Sequence, residues 1–214
     1  MASTSTSRVL LEANNLSLDF PIDLYPQQGF RETFIQVTKS PFDYFTRAKD
    51  TLPVLRNISL VLNEGDRLGI LGKNGAGKTT LCRVLCGMIR PMQGTLTTSV
   101  QVEAIFDTSS GIMPELTGRE NAALLSELFH QHQLSPAQIN EALEFSELGV
   151  FLDAPIRTYS KGMQARLMLS LASTLPSEVL ILDEVFDGAD VFFKDKIGAR
   201  MRDKINRSSA VIFV

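Results

Sequence analysis

Tryptophan is absent from this chain of 214 residues, cysteine and histidine occur twice each, and no apolar run approaches the roughly 20 residues of a membrane-spanning helix. Each shortage removes a class of protein. Two cysteines build no disulfide framework. Cys82 and Cys86 stand four apart in a stretch that reads as one helix, a spacing suited to two small core thiols in a reducing compartment rather than to a disulfide. A basic excess is also lacking: 21 Lys and Arg against 24 Asp and Glu give a net charge of −3, so nucleic acid is not expected as a partner. The opening MASTSTS is rich in Ser and Thr with no apolar signal core after it, and the chain is expected to stay in the cytosol. What is present, 44% hydrophobic and 21% charged residues, suits one soluble domain or two small lobes and excludes disordered and collagen-like classes.

Residues 8–20 mix β-prone apolar and polar residues and stop at Pro21, which predicts a first strand. In the following stretch, 21–50, Phe30, Phe34 and Val37 recur at helical spacing and Phe42, Tyr44 and Phe45 follow. Two readings stand there: aromatics that seal the edge of the main core, or an exposed docking element. Strands are expected at 54–62 and 67–71, a helix from Gly77 to about Met88, and two short strands in TLTTSV and VEAIF. From Thr117 to about Leu175 nearly everything reads as helix, with Ser135-Pro136 as a start signal. VLILDE then has the continuous apolar run of a fully buried parallel strand, followed by a helix near 191–206 and a last strand, SAVIFV. The expected fold is therefore α/β, a mixed sheet core at about 8–106 and 176–214 with an inserted helical lobe at about 107–175.

Gly72-Lys73-Asn74-Gly75-Ala76-Gly77-Lys78-Thr79 satisfies G-x-x-x-x-G-K-[ST] between a predicted strand and a predicted helix. Glycines let backbone amides converge on a triphosphate with no Cβ in the way, and the helix N-terminus adds partial positive charge. Lys78 is placed to reach the β and γ oxygens, and the Thr79 hydroxyl to hold Mg²⁺. Thr80 is a further candidate for a phosphate hydrogen bond, or a polar residue of the helix. The bland alternative for the whole loop is a flexible turn.

Asp183 and Glu184 follow the apolar run, so a buried strand carries two carboxylates to the sheet edge where open α/β folds bind ligands. Beside a phosphate loop, the first suits Mg²⁺ and the second can polarise an attacking water. Without the loop they would be a strand-to-turn cap.

Thr158-Tyr159-Ser160-Lys161-Gly162-Met163-Gln164-Ala165-Arg166, just ahead of that strand, resembles the signature of ABC ATPases in the form YSxGM rather than LSGGQ. Pro114-Glu115-Leu116-Thr117-Gly118-Arg119-Glu120-Asn121 is similar to the PELTGREN stretch of polysaccharide and polyol-phosphate exporters, the subfamily of O-antigen, capsule and teichoic acid export. The resemblance runs from about Leu11 to Val214. It implies ATP and Mg²⁺ as cofactors, a homodimer that sandwiches nucleotide, integral membrane permease subunits as partners, and a place on the cytoplasmic face of the bacterial inner membrane. By matching position, it implies that Ser160 and Gly162 face the γ-phosphate held by the other subunit, Asp183 supports Mg²⁺ and Glu184 is the catalytic carboxylate. Asp190 looks like the acid of the loop that crosses the dimer interface. Phe20, or alternatively Tyr25, is the expected adenine-stacking aromatic.

Three departures from the family pattern stand out. Lys161 occupies a position that is usually Gly or Ser, either binding charge or extending to solvent. Asp107 stands nearest the place of a glutamine that joins Mg²⁺ to the helical lobe. No switch histidine follows the last strand, and His130 and His132 lie in the helical lobe, so the chain is expected to be part of a longer protein. The rival readings are an importer ATPase, a soluble ABC ATPase of DNA repair or translation, and a P-loop kinase or GTPase; for the last, the signature would have no purpose.

Overall fold

Strand β6 (Val179–Leu182) is apolar at four consecutive positions because both of its faces are covered. Val179 and Ile181 point into one hydrophobic cluster, Leu180 and Leu182 into another, as the period of two in a strand requires. Each such side chain, fully withdrawn from water, contributes about 1.5–3 kcal/mol. The computed structural model describes residues 7–21, 51–106, 111–129, 134–174, 177–183 and 191–214. The aromatic stretch 30–45, Tyr25, Asp107, His130, His132, Glu184 and Asp190 fall outside the described residues.

Around β6 lies a parallel sheet in the order β3 (Arg67–Gly69), β7 (Ala210–Phe213), β6, β5 (Val102–Ile105). A second, antiparallel sheet has the order β2 (Thr51–Asn63), β1 (Val9–Pro21), β4 (Gln93–Thr98). The mixed β content expected from the sequence thus separates into two sheets. Between them, Leu10, Leu16 and Leu62 of the antiparallel sheet meet Ile181 and Ile212 of the parallel one, together with Leu81, Cys82, Val84 and Leu85 of helix α1 (Lys78–Leu85). Helix α1 is shorter than the sequence suggests. It ends at Leu85, so Cys82 is buried as expected, whereas Cys86 is the half-buried C-cap residue.

The helical stretch comprises α2 (Gly118–Phe129), α3 (Pro136–Ser146), 3₁₀ turns at Gly149–Asp153 and Ile156–Thr158, and α4 (Lys161–Ala172). Ser135 caps α3 in a reciprocal box with Gln138, with Pro136 in the first turn, as the sequence predicts. Thr117 and Glu120 do the same for α2: Glu120 N donates to Thr117 Oγ1, and Thr117 N donates to Glu120 Oε2 at 2.8 Å. The Thr117 amide and hydroxyl, both donating to that carboxylate at 2.8 Å, hold the Glu120 carboxyl below its ordinary pKa. Helix α4 is apolar on two sides because it packs twice. Ala165, Leu169 and Ala172 cover the far face of the parallel sheet, and Leu167, Met168 and Leu171 close the cluster with α2 and α3.

Helix α5 (Val191–Arg207) lies on that same far face through Phe193, Ile197 and Met201, a stripe at helical spacing. The next turn of the stripe carries Lys204. Its Nζ donates to Glu103 Oε2 on β5 at 2.8 Å and to Ala172 O, the last residue of α4, at 2.6 Å. Helix α5 also grips α3: Arg200 makes two bonds to the Glu141 carboxylate, 2.7 and 3.0 Å, and the Phe145 ring lies under both Lys196 Nζ and Arg200 Cζ, 4.4 and 4.5 Å from its centroid.

Candidate nucleotide-binding site

The sequence predicts strand through Leu71, but β3 ends at Gly69, which pairs with Phe213 of β7. Ile70 N still donates to Phe213 O at 2.7 Å, and beyond it the chain leaves the sheet as an exposed loop. Gly75 and Gly77 have φ of 79° and 91°, a region that favours glycine. Gly77 is also confined by its neighbours, since a Cβ there would lie 3.0 Å from Val54 O and 3.2 Å from Val54 Cγ1 on β2. It is the N-cap of α1 and provides no side-chain cap, so no side chain competes for the first-turn amides.

Lys78 Nζ donates to Gly72 O at 3.1 Å and Lys73 O at 3.4 Å, which holds the ammonium over the loop. Lys73, Asn74, Gly75 and Ala76 are exposed, and Thr79 and Thr80 are half-buried in the first turn of α1. Left-handed glycines, an uncapped helix N-terminus and a lysine above them form a donor set that fits a polyphosphate.

Asp183 follows β6 and is buried, with its amide donating to Ile105 O at 3.1 Å. Burial pushes the Cys82 thiol up to about 12, with the Asp183 charge as the second cause. Strand β6, which ends at Asp183, and helix α1, which begins at the phosphate loop, share the cluster that holds Ile181, Leu81, Cys82 and Leu85. Among the described residues no cluster of three or more His, Cys, Asp or Glu is present. Thr79 and Asp183 carry oxygen donors of the kind that Mg²⁺ takes.

Phe20 is 39% exposed near the end of β1, where it pairs with Leu52 of β2. Two residues further along β2, Val54 touches Gly77. At about 3.3 Å per residue, the pairing partner of Phe20 is about 7 Å along the strand from the residue that touches the phosphate loop.

Ser160 and Gly162 lie at the start of α4. Ser160 is its N-cap, exposed, and its Oγ accepts from Met163 N at 3.2 Å; Lys161, the first helical residue, is exposed too. The structure does not place these residues with the phosphate loop. Helix α1 covers the face of the parallel sheet that carries Ile181 and Ile212, whereas α4 covers the face that carries Leu180, Leu182 and Val211. In one chain the two motifs thus flank opposite faces of one sheet.

Sequence reasoning missed two features here. Asn121 is fully buried and all its polar atoms are engaged: its Oδ1 accepts from Met113 N, and its Nδ2 donates to the carbonyls of Met113, Leu116 and Thr117. The second is a contact between Gly118 and Tyr159, the middle of one motif against the start of another. The fixed spacing within PELTGREN was the available signal for the first.

Fold and loop together define a P-loop nucleotide-binding cassette of the α/β class with a helical insertion. The model of the ABC transporter family matches residues 55–187. An O-antigen export system ATP-binding protein of Yersinia enterocolitica is 37% identical over 201 residues, 93% of this chain and 84% of that protein. A polysialic acid transport ATP-binding protein of Escherichia coli is 34% identical over 161 residues, 75% of this chain and 73% of that one. Among solved structures, the dimeric post-hydrolysis state of an ATP-binding cassette with ADP and phosphate superposes with a TM-score of 0.68 at 16% identity, covering 96% of this chain and 87% of that chain. This chain belongs to the ABC transporter family, as a cassette that couples ATP hydrolysis to transport.

Proposed function

We propose that the chain is the ATP-hydrolysing subunit of an exporter of polysaccharide or lipid-linked glycan, acting as a homodimer beneath integral membrane permease subunits on the cytoplasmic face of the inner membrane. The observation that carries the dimer is the placement of the phosphate loop and the signature on opposite sides of the parallel sheet. A second copy, facing the first, would bring its signature to the nucleotide held by the first copy's loop. The glycan cargo is supported by the O-antigen and polysialic acid systems of the relatives. Among the described residues no helix is long and apolar enough to cross a membrane, which fits a translocation path built by other polypeptides. The α/β core takes residues of about 8–106 and 176–214, and the helical lobe those of about 107–175.

In this reading the amides of Gly72–Thr79 and the Lys78 ammonium bind the phosphates, and Phe20 stacks on adenine. Thr79 and Asp183, with Asp107, hold Mg²⁺, which neutralises phosphate charge when bound. Glu184 orients the attacking water and accepts its proton. Ser160 and Gly162 of the second copy close on the γ-phosphate, and the loss of that group weakens the closed state. Glu184→Gln tests the assignment: ATP binding is retained, hydrolysis stops, and ATP drives a stable dimer in size-exclusion chromatography with light scattering. Turnover at the wild-type rate would show that another group activates the water. For the cargo, a strain without the chain should retain its glycan inside the inner membrane, and an unchanged surface glycan would refute it.

A further inference from the structure

The two motifs that mark the helical lobe, 114–121 and 158–166, are separate in the sequence and form one construction in the structure. Ile156 N donates to Leu116 O and Arg157 N to Pro114 O, both at 2.9 Å, and Thr117 and Pro155 form an antiparallel bridge. Arg119 Nε donates to Asp153 Oδ1 at 2.8 Å. Behind this ladder, Asn121 fixes the carbonyls of 113, 116 and 117. The segment that leads into Ser160 is therefore aligned, residue by residue, on the 114–121 stretch.

At the centre is Tyr159. Its side chain is buried and its hydroxyl donates to Phe151 O at 2.6 Å. Gly118 stands against that hydroxyl so closely that a Cβ there would come within 3.0 Å of Tyr159 Oη, and 3.2 Å from the Leu152 Cα and O. A glycine at the first position of a helix gains nothing from helix propensity; here it makes room for a phenol. The residue after Tyr159 is Ser160, the N-cap that begins α4. Phenylalanine would fill the same apolar space, so the hydroxyl serves the placement of the backbone rather than the burial of area.

We propose that Tyr159 is a positioning residue for the signature half of the site. Its hydroxyl, held between Gly118 and the Phe151 carbonyl, sets where Ser160 and the N-terminus of α4 are presented to nucleotide. The 114–121 stretch thereby serves hydrolysis without touching ATP. This rests on the reading above that Ser160 faces the nucleotide of a second copy.

The test compares Tyr159→Phe, Gly118→Ala, the double variant and Ser160→Ala in the full chain. Measured are the ATPase rate against ATP concentration, the affinity of the monomer for a fluorescent ATP analogue, and the melting temperature. Tyr159→Phe is expected to lower kcat about tenfold, within the range of about 100-fold that a 1 Å misplacement can cost. Analogue binding should stay within about twofold, because the phosphate loop lies across the sheet. Gly118→Ala should lose more, and Tyr159→Phe in its background should restore part of that loss, since no remaining contact at that Cβ would be nearer than 3.2 Å. Rescue by removing an oxygen is a result that a general loss of stability does not produce. Should Gly118→Ala fail to fold, Tyr159→Phe alone decides. Wild-type kcat in Tyr159→Phe, with Ser160→Ala inactive, overturns the proposal and leaves the sandwich standing. Wild-type kcat in Ser160→Ala overturns the sandwich reading and the proposal with it.

Discussion

Replacing Lys204 by methionine should be among the most destabilising single changes outside the nucleotide site. The ammonium and the Glu103 carboxylate are 2.8 Å apart with side-chain exposures of 2% and 5%. Burial pulls the lysine below its ordinary pKa, while Glu103 acts in the opposite sense and favours the charged form. Methionine fills the same volume, so the cost is electrostatic: Glu103 keeps a buried charge whose Oε1 has no hydrogen-bond partner among the described residues, and the Ala172 carbonyl loses its donor. Breaking a buried pair from one side costs about 3–5 kcal/mol. At about 2–4 °C per kcal/mol for a chain of this size, the melting temperature should fall by about 6–20 °C. Removing both charges is a different case. With Glu103→Leu added, the double variant should return to within about 1 kcal/mol of wild type or exceed it. Urea unfolding followed by circular dichroism measures all three proteins. A loss below about 1 kcal/mol in Lys204→Met, or a double variant no better than the single, would refute the idea that the pair is desolvated and coupled.

Two further outcomes follow from the charges described. Glu120 has its carboxyl held below the ordinary value of 4.5 by Thr117. The unfolded chain therefore takes up that proton first as pH falls, and the stability contributed above 4.5 is lost through the lower folded value. Glu120→Gln should flatten that part of the acid unfolding curve, and an unaltered acid limb would show that the capping bonds carry no linkage. The thiols offer the second: with Cys82 buried and pushed up to about 12, and Cys86 raised by burial as well, a disulfide reagent at pH 8 should modify neither within seconds. In denaturant both should titrate; a one-thiol burst in the folded protein would show that Cys86 at the helix end is open, and a burst of both would contradict the burial of Cys82 in α1.

The parts that could be read in the sequence are those whose physics is local. A strand covered on both faces leaves the run VLIL, a phosphate loop leaves its glycines and lysine at fixed spacing, and Ser135-Pro136 opens a helix by its own hydrogen bonds and fixed φ. Their positions matched because nothing distant has to agree. Lys204 shows the opposite case. On a helix rich in Lys and Arg it reads as one more solvated charge, and only the packing of α5 over β5 reveals that it faces inward. Gly118 was legible as part of a motif but not as the partner of Tyr159, since about forty residues separate them and the contact depends on how α2 meets a 3₁₀ turn. The shortening of β3 and the place of Cys86 at a helix end were missed for a simpler reason: a residue pattern fixes the ends of an element only to within a residue or two.

Helix α4 is anchored at one end and presented at the other. Its last carbonyl, at Ala172, is bonded by Lys204 to the sheet side of the molecule, and its first turn displays Ser160. Twelve residues make a rod of about 18 Å. A rotation of about 10° around the anchored end would carry Ser160 through about 3 Å, roughly the length of one hydrogen bond. The buried lysine is therefore placed as a fulcrum, and in the sandwich proposed above a modest tilt of the helical lobe would become, at the tip of α4, the difference between touching a phosphate and missing it.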